Sequence, residues 1–312
     1  MPIAPPLPGR RHAVGALLAL ATSALPAAAQ TLDDAMTAPR RELRSTVEYG
    51  HEWWDEYWEG TLRRTNENIG TLTTRSVMWM GAYGVTDRLS VVATLPYVWT
   101  RASLGVLHPM RGVQDLTVAA KLRVLRASLG ERATLDATAL AGVGVPTTDY
   151  TPDFQPMSIG LGARRALARG ALRLQDRSGL FFAAAAAHTW RSTVRLDRPA
   201  YFTDDRLVLS DEVAMPDVVE YGVTAGYARG RWSVPVTLAG QRTLGGGDIR
   251  RQDMPFVSNR MNFTRLQARA MYALPGVSGV AAHVGAMRTL AGRNVGRSTA
   301  LSAGVTSALR LF

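Results

Sequence analysis

Apolar and polar residues alternate with a period of two along most of the chain. From Leu116 to Val124 every second residue is apolar, and the residues between them are small, polar or charged, as in Thr117, Lys121 and Arg123. Successive side chains of a β-strand point to opposite faces. The pattern therefore predicts strands that have one apolar and one polar face, and it recurs in many segments along the chain.

The alternating segments are long for strands of a soluble protein. A strand that crosses a bilayer needs about 9–11 tilted residues, whereas strands of soluble domains most often have about 5–6. We predict twelve strands, with ten or fourteen as alternatives, and the segment 168–179 is open between a turn and a strand. The predicted strands are 41–51, 70–84, 88–100, 113–126, 132–145, 157–167, 180–192, 217–228, 231–243, 261–274, 279–290 and 298–312.

The predicted connections alternate between short and long. Segments 85–88, 228–231 and 275–279 are tight turns. The long connections are polar and rich in Pro, Gly, Asp or Arg, and they are 52–70, 101–112, 146–157, 193–216 and 244–258. Short turns at one end and long loops at the other are typical of transmembrane barrels. The predicted fold is therefore all-β, an antiparallel transmembrane β-barrel of about 12 strands.

The N-terminus has the layout of a secretory signal peptide. Arg10 and Arg11 precede the apolar run 13–25, and three alanines follow at 27–29. A positive region, a short apolar run and a small-residue cleavage site are the three parts of such a signal. We predict that residues 1–29 are cleaved, that residues 30–40 form a periplasmic segment or a plug, and that residues 41–312 form an outer-membrane barrel of a Gram-negative bacterium.

The amino-acid composition excludes some kinds of reactive site and indicates the kind of partner. Cysteine is absent, which excludes thiol nucleophiles and thiolate metal sites. The formal net charge is +11, and Lys121 is the only lysine. In an exported barrel this charge favours lipopolysaccharide and outer-membrane lipid as partners, and we expect no nucleic acid partner.

The polar face of the predicted strands carries charges that we expect to point into the lumen, because a charge that faces lipid costs several kcal/mol. These residues are Arg44, Arg75, Asp115, Lys121, Arg123, Asp136, Glu220, Arg265 and Arg269. One interpretation is an arginine-lined pore that favours anions. The other is a set of cross-barrel ion pairs that fills a narrow lumen, and the interspersed acids favour it.

The segment 49–59 is the most unusual of the chain, with five aromatic and four acidic residues. Its candidate substrate-binding residues are Tyr49, Trp53, Trp54, Tyr57 and Trp58. Stacking of a cargo on these rings is one interpretation. The alternative, which we favour, is an aromatic anchor at the membrane interface.

We predict no cofactor, no catalytic residue and no metal site. Five residues nevertheless have ligand chemistry: His51, Met78, Met80, His108 and Met110. Thioether and imidazole groups suit copper, but methionine is also a common apolar filler. His51-Glu52 lacks the second histidine of a zinc-protease motif.

Four consecutive motifs resemble a known family of outer-membrane proteins, the one associated with the meta-pathway of phenol degradation. The motifs are Tyr83-Gly84-Val85-Thr86-Asp87-Arg88-Leu89, Leu95-Pro96-Tyr97, Gly112-Val113-Gln114-Asp115-Leu116 and Gly142-Val143-Gly144-Val145-Pro146-Thr147. Their order and spacing match over residues 70–165, and the C-terminal half matches only in its alternation. The resemblance implies a barrel that lets small molecules, including hydrophobic or aromatic compounds, cross the outer membrane.

These observations give one functional prediction and two alternatives. We expect a passive channel or transporter for a small-molecule cargo, without covalent chemistry. The alternatives are a barrel enzyme that acts on outer-membrane lipid and a surface or metal-binding barrel. The terminal Phe312 partly resembles the signal for the barrel assembly machinery, which is the expected partner during biogenesis.

Overall fold

The computed structural model describes residues 31–203, 206–251 and 255–311. The predicted signal peptide and Phe312 lie outside these residues. Among the described residues, no helix is long and apolar enough to cross a membrane.

Twelve long strands of the described chain form a closed antiparallel barrel, which confirms the predicted fold class. In chain order, β1–β12 are Glu42–Trp54, Leu72–Gly84, Leu89–Ala102, Asp115–Leu129, Ala133–Pro146, Arg165–Asp176, Leu180–Arg191, Val218–Arg229, Trp232–Thr243, Asn262–Ala273, Val280–Arg293 and Thr299–Arg310. Each strand pairs with its sequence neighbours, and β1 pairs with β12 from Glu42↔Arg310 to Trp53↔Thr299. This last pairing closes the barrel, so the sheet has no free edge.

The connections define two different ends. The turn end carries the tight connections 85–88, 130–132, 177–179, 230–231 and 274–279. The loop end carries the connections 55–71, 103–114, 147–164, 192–217, 244–261 and 294–298. Short strands lie within these loops or extend the barrel sheet there, at Glu56–Glu59, Leu62–Thr65, Arg111–Val113, Thr193–Arg195, Tyr201–Thr203, Arg206–Val208 and Glu212–Ala214.

The loops at the loop end pack against each other. Val194, Val213 and Val257, from two different loops, are almost fully buried in one apolar cluster. Ala163 at the end of a third loop joins this cluster. The loop end therefore has a small hydrophobic core of its own, separate from the barrel wall.

The predicted sixth strand, 157–167, is wrong. The observed β6 is Arg165–Asp176, and residues 157–163 belong to a loop that turns inward, where Met157 is fully buried. The apolar alternation of 157–163 reflects burial within this loop, which at Ala163 is burial in the loop-end cluster. The outer face of β6, in contrast, begins with Ala166, Ala168 and Gly170 and gives a weak signal. The open segment 168–179 is mostly strand.

Candidate functional site

The interior of the barrel holds a cavity of about 600 Å³. Its wall is made of inward side chains of β1, β2 and β6–β12, and residues 31–36 bound it on the turn side. This lumen cavity is the candidate functional site, because it is where a small molecule crossing the barrel would lie.

Residues 31–39 lie inside the lumen at the turn end. Ala35 and Ala38 are 4% and 0% exposed, and the backbone N–H of Ala38 donates a hydrogen bond of 2.8 Å to Ser90 Oγ on β3. Leu32 packs against Met80 and Val92 of the barrel wall. We refer to residues 31–39, in this position, as the plug.

Lys121 links the barrel wall to this plug. Its side chain is 1% exposed, and its ammonium donates to the backbone oxygens of Thr31 and Asp34 and, at 3.0 Å, to Asp34 Oδ1. A buried ammonium needs acceptors for its three donors. All of its acceptors belong to the plug, so the plug compensates the burial of this charge.

Three arginines of β6 point inward. They were absent from the predicted site because the predicted strand, 157–167, ends before most of the observed one. Arg165 lies 3.4 Å from Asp115, and Arg169 lies 2.8 Å from Asp33 of the plug and 3.4 Å from Glu220. Arg165, Arg169 and Arg173 are four residues apart and therefore lie on one face of a strand. This spacing is the signal in the sequence that could have indicated an inward-facing row of arginines.

Arg173 differs from the other two. Its guanidinium stacks on the Phe181 ring, 3.8 Å from the centroid, and donates to Gln175 Oε1. Among the described residues no carboxylate lies within 4 Å of it.

Glu48, His283 and Arg269 form a buried cluster in the lumen wall. Glu48 Oε2 lies 2.8 Å from His283 Nε2 and 2.7 Å from Arg269 Nη2. The His283 side chain is fully buried beside Gly304, where a Cβ atom would come within 2.7 Å of the imidazole ring. Glu48 and His283 were not among the predicted site residues, since strands that are neighbours in space are far apart along the chain.

All but one of the charges predicted to face the lumen do so. The inward-facing residues are Arg44, Asp115, Lys121, Arg123, Asp136, Glu220, Arg265 and Arg269. Most of them contact a charge of opposite sign, as Glu220 of β8 does with Arg169 of β6 at 3.4 Å. This arrangement resembles cross-barrel pairing more than an uninterrupted arginine lining.

Arg75 does not face the lumen, and this part of the prediction is wrong. It is exposed on the outer face of β2, where its cross-strand partners are His51 and Trp99. Its neighbours Thr74 and Ser76 point into the cavity instead. Arg75 lies close to the loop end, so its charge is near the membrane interface and not at the middle of the lipid.

The loop 147–164 folds into the barrel mouth. Thr100 Oγ1 donates a hydrogen bond of 2.6 Å to the Met157 carbonyl, and Ile159 is 3% exposed. A second cavity of about 510 Å³ lies between this loop and β2–β3, and Glu48, Thr74 and Ser76 border both cavities. The loop therefore narrows the path from the loop end to the lumen cavity.

Tyr150 fastens this loop to the barrel. Its hydroxyl donates to Asp115 Oδ1 at 2.5 Å and accepts from the Gly162 backbone N–H at 2.9 Å. Burial, together with the hydrogen bond to Asp115, raises the pKa of Tyr150. The phenol consequently keeps its proton and remains a donor.

The five predicted substrate-binding aromatics do not come together. Tyr49, 44% exposed, and Trp53 lie on the outer face of β1, and Trp53 packs beside His51 with ring centroids 5.3 Å apart. These two residues have the position of interface anchors.

The remaining three aromatics pack over the loop end between β11 and β12. Trp58 is 9% exposed, and its backbone N–H donates 2.9 Å to the Val295 carbonyl. Trp54 and Tyr57 lie against Gly296. None of the five lines the lumen cavity within the described part of the chain, so the structure does not support a shared cargo site at these rings.

The metal candidates are also dispersed. His51 faces outward, His108 is exposed on a loop, and Met80 packs against Leu32 of the plug. Met78 borders the second cavity, and the Met110 backbone pairs with Thr100. Among the described residues no group of three or more His, Asp or Glu side chains is arranged to hold a metal ion.

Comparison with protein families gives one match that covers most of the chain. The model described as "Putative MetA-pathway of phenol degradation" matches residues 66–304. The match extends well beyond residues 70–165, where the motifs alone carried the resemblance. No curated protein matches this chain.

Comparison with solved structures gives similarities to outer-membrane proteins. An outer membrane channel from Pseudomonas putida F1 aligns with a TM-score of 0.71 and 16% identity over 88% of this chain and 98% of that chain. The NanC porin aligns with a TM-score of 0.47 and 9% identity over 85% of this chain and 100% of that one. A mutant of the TodX monoaromatic hydrocarbon channel aligns with a TM-score of 0.41 and 9% identity over 88% and 91%. The first likeness shows that the fold is that of an outer-membrane channel.

Proposed function

Since the chain belongs to the family described as the "Putative MetA-pathway of phenol degradation", we propose that it is an outer-membrane channel through which small hydrophobic or aromatic molecules pass without covalent change. The observation that carries the proposal is the lumen cavity of about 600 Å³ inside a closed barrel. A cavity of this volume lies in the range of sites for small organic molecules.

The outer surface supports a membrane location. Outward side chains of the strands are large and apolar all around the barrel, as Leu122, Leu172, Val223 and Leu301 illustrate, and each is more than 40% exposed. Lipid would cover this surface. We propose that signal-peptide export and the barrel assembly machinery bring the chain to the outer membrane of a Gram-negative bacterium, with lipopolysaccharide around the loop end.

Two segments stand in the way of free passage. The plug 31–39 occupies the turn end, and the loop 147–164 narrows the loop end. Cargo would enter the lumen cavity past the loop and leave after a displacement of the plug. Such a channel would be selective for cargo that fits the cavity, in contrast to an open porin.

The test is uptake of radiolabelled toluene by cells of a porin-depleted host with an intact lipopolysaccharide layer. Cells that express the chain should accumulate toluene faster than cells that carry an empty vector. An unrelated barrel, expressed to the same level, controls for damage to the membrane. Equal uptake in all three strains would contradict the proposed function.

A second measurement tests the location. The folded barrel should fractionate with the outer membrane and migrate faster on a gel before boiling than after boiling. Recovery from the soluble periplasm with identical migration in both states would contradict the membrane location.

A further inference from the structure

One stretch of the lumen wall is made of unusually small side chains. The register Ala171↔Ala185↔Gly222↔Ala239↔Arg265 crosses five neighbouring strands, from β6 to β10. Neighbouring strands lie about 4.8 Å apart, so the three small residues between Ala171 and Arg265 span a shallow bay on the order of 10 Å wide.

The next inward rung is equally small. Ala183, Thr224 and Thr237 lie on the same three strands, and the two threonine hydroxyls hydrogen-bond to each other at 2.8 Å. Because these hydroxyls satisfy each other, the floor of the bay is mainly a methyl and backbone surface. It suits the flat or slim apolar part of a ligand.

Arg265 stands at one side of this bay with its hydrogen-bonding capacity unused. The guanidinium lies over the Phe263 ring, 4.0 Å from the centroid, and its nearest carboxylate oxygen, from Glu52, is 4.0 Å away. Its Nε is buried without a partner, and the side chain donates no hydrogen bond to any described residue. An arginine has five N–H donors, and burying one of them without an acceptor is costly.

Arg269, four residues further along the same face of β10, shows the contrast. Its guanidinium contacts Glu48 at 2.7 Å. The two arginines face the same cavity. They differ in that Arg269 has a protein carboxylate within hydrogen-bond distance, whereas the carboxylate nearest to Arg265 is too far away for a hydrogen bond.

We propose that the bay between β6 and β10 binds a small organic carboxylate, whose carboxylate group accepts hydrogen bonds from Arg265 and whose apolar part lies on Ala185, Gly222 and Ala239. This inference rests on the proposed function and names the class of cargo: amphiphilic monoanions such as aromatic carboxylates. Guanidinium and carboxylate form two parallel charge-assisted hydrogen bonds. The guanidinium lies over the Phe263 ring, and both residues line the lumen cavity.

The experiment is ¹⁹F NMR of 4-fluorobenzoate with the full mature chain in detergent. The neutral 4-fluorobenzyl alcohol has a similar shape and no charge, and micelles without protein correct for partitioning. Binding to the site predicts saturable broadening of the benzoate signal and at least about tenfold weaker binding of the alcohol.

Four variants give the site its test. Arg265→Gln should weaken 4-fluorobenzoate binding at least about tenfold, and Arg265→Lys should retain part of it, because the charge remains while the planar fork is lost. Glu52→Gln should tighten binding, since it removes the competing negative charge. Arg75→Gln is the matched control: it removes an arginine near the same end of the barrel, but on the outer face, and should leave binding unchanged.

Heat-modifiable migration of each variant confirms that the barrel is folded. Equal affinity of the wild type and a folded Arg265→Gln variant would overturn the proposal, and so would equal affinity for the alcohol and the benzoate. Uptake of radiolabelled toluene and benzoate by cells separates this outcome from the proposed function. Uptake with no carboxylate site refutes only the inference, whereas carboxylate binding with no uptake of either compound refutes only the channel.

Discussion

The ammonium of Lys121 lies 3.0 Å from the carboxylate of Asp34, and the lysine side chain is 1% exposed. Lys121 belongs to the wall of the barrel, whereas Asp34 belongs to the plug 31–39. This contact therefore joins the plug, which would have to move for cargo to pass, to the barrel wall, which stays fixed.

Lys121→Met should release the plug. The substitution keeps an unbranched side chain that is one atom shorter, but it leaves the carbonyls of Thr31 and Asp34 without their donor. Removing one partner of a buried ion pair costs about 3–5 kcal/mol. We expect a larger single-channel conductance in planar bilayers, close to that of a variant without residues 31–39.

Asp33→Asn is the matched control on the same segment. Asp33 contacts Arg169, but its side chain is 73% exposed, so its loss should change the conductance much less. A wild-type conductance for Lys121→Met, together with a raised conductance on deletion of 31–39, would refute the role of this contact.

Gly84→Ala should disturb the root of the plug. A Cβ atom at Gly84 would lie 1.9 Å from the Pro39 carbonyl oxygen, a backbone atom that cannot turn away. Residues 38–39 would have to shift, which would weaken the hydrogen bond from Ala38 to Ser90. Overpacking of this kind costs about 1–3 kcal/mol.

The measurement is the temperature at which the folded form disappears on a semi-native gel. Gly170→Ala is the control, because a Cβ atom there meets nothing within 4 Å. Gly84→Ala should unfold at a lower temperature than both the wild type and Gly170→Ala, and equal unfolding temperatures would contradict the argument.

The barrel was predictable from the sequence because lipid imposes a single requirement on the outer face. Along β4 every second residue from Leu116 to Val124 must be apolar, whatever its neighbours are, so the pattern can be read locally. The resemblance at Gly112–Leu116 and its companion motifs added the family.

The interior was less predictable because its requirements are met between distant residues. Glu48 and His283 are 235 positions apart and hydrogen-bond only because β1, β12 and β11 are neighbours in the closed barrel. Arg75 was misplaced because inward and outward positions exchange with a shift of one residue. An arginine near the end of a strand can face outward when it reaches the interface.

Asp248 should hold the loop 244–261 in place down to low pH. Its carboxylate accepts from Arg293 Nε at 2.8 Å and Arg293 Nη2 at 2.6 Å, and from Asn294 at 2.7 Å. The hydrogen bonds with Arg293 lower the pKa of Asp248 to about 2. Because this pKa is below the unfolded value of about 3.9, the stabilisation is present above about pH 4 and is lost as the pH falls through about 2.

The chain has no cysteine, so a single introduced thiol can carry a spin label. A label at Arg251→Cys should stay immobile at pH 3 and become mobile near pH 2. In Arg293→Gln the pKa of Asp248 should rise, which moves the change in mobility towards pH 4. The same midpoint in both proteins would show that Arg293 does not set this pKa.

Trp58→Ala and Trp53→Ala distinguish the two places that aromatic residues of segment 49–59 occupy, the packed loop end and the outer face of the barrel. Trp58 is buried beside Gly292, where a Cβ atom would lie 2.5 Å from its ring, and Trp53 lies on the outer face of β1. Trp58→Ala should loosen the hairpin 56–65 and expose connection 55–71 to trypsin, which cleaves at Arg63 and Arg64. Trp53→Ala should leave the cleavage rate unchanged, because its ring packs against lipid and His51.

Toluene uptake by cells then decides between cargo capture and anchoring. If the aromatic rings captured cargo together, each substitution would lower uptake by a similar factor. Because Trp53 faces away from the lumen, we expect Trp53→Ala to have wild-type uptake, and any change in Trp58→Ala to follow the loosening of the loop. A strong loss of uptake in a folded Trp53→Ala variant would contradict the outward placement and restore the aromatic segment as a cargo site.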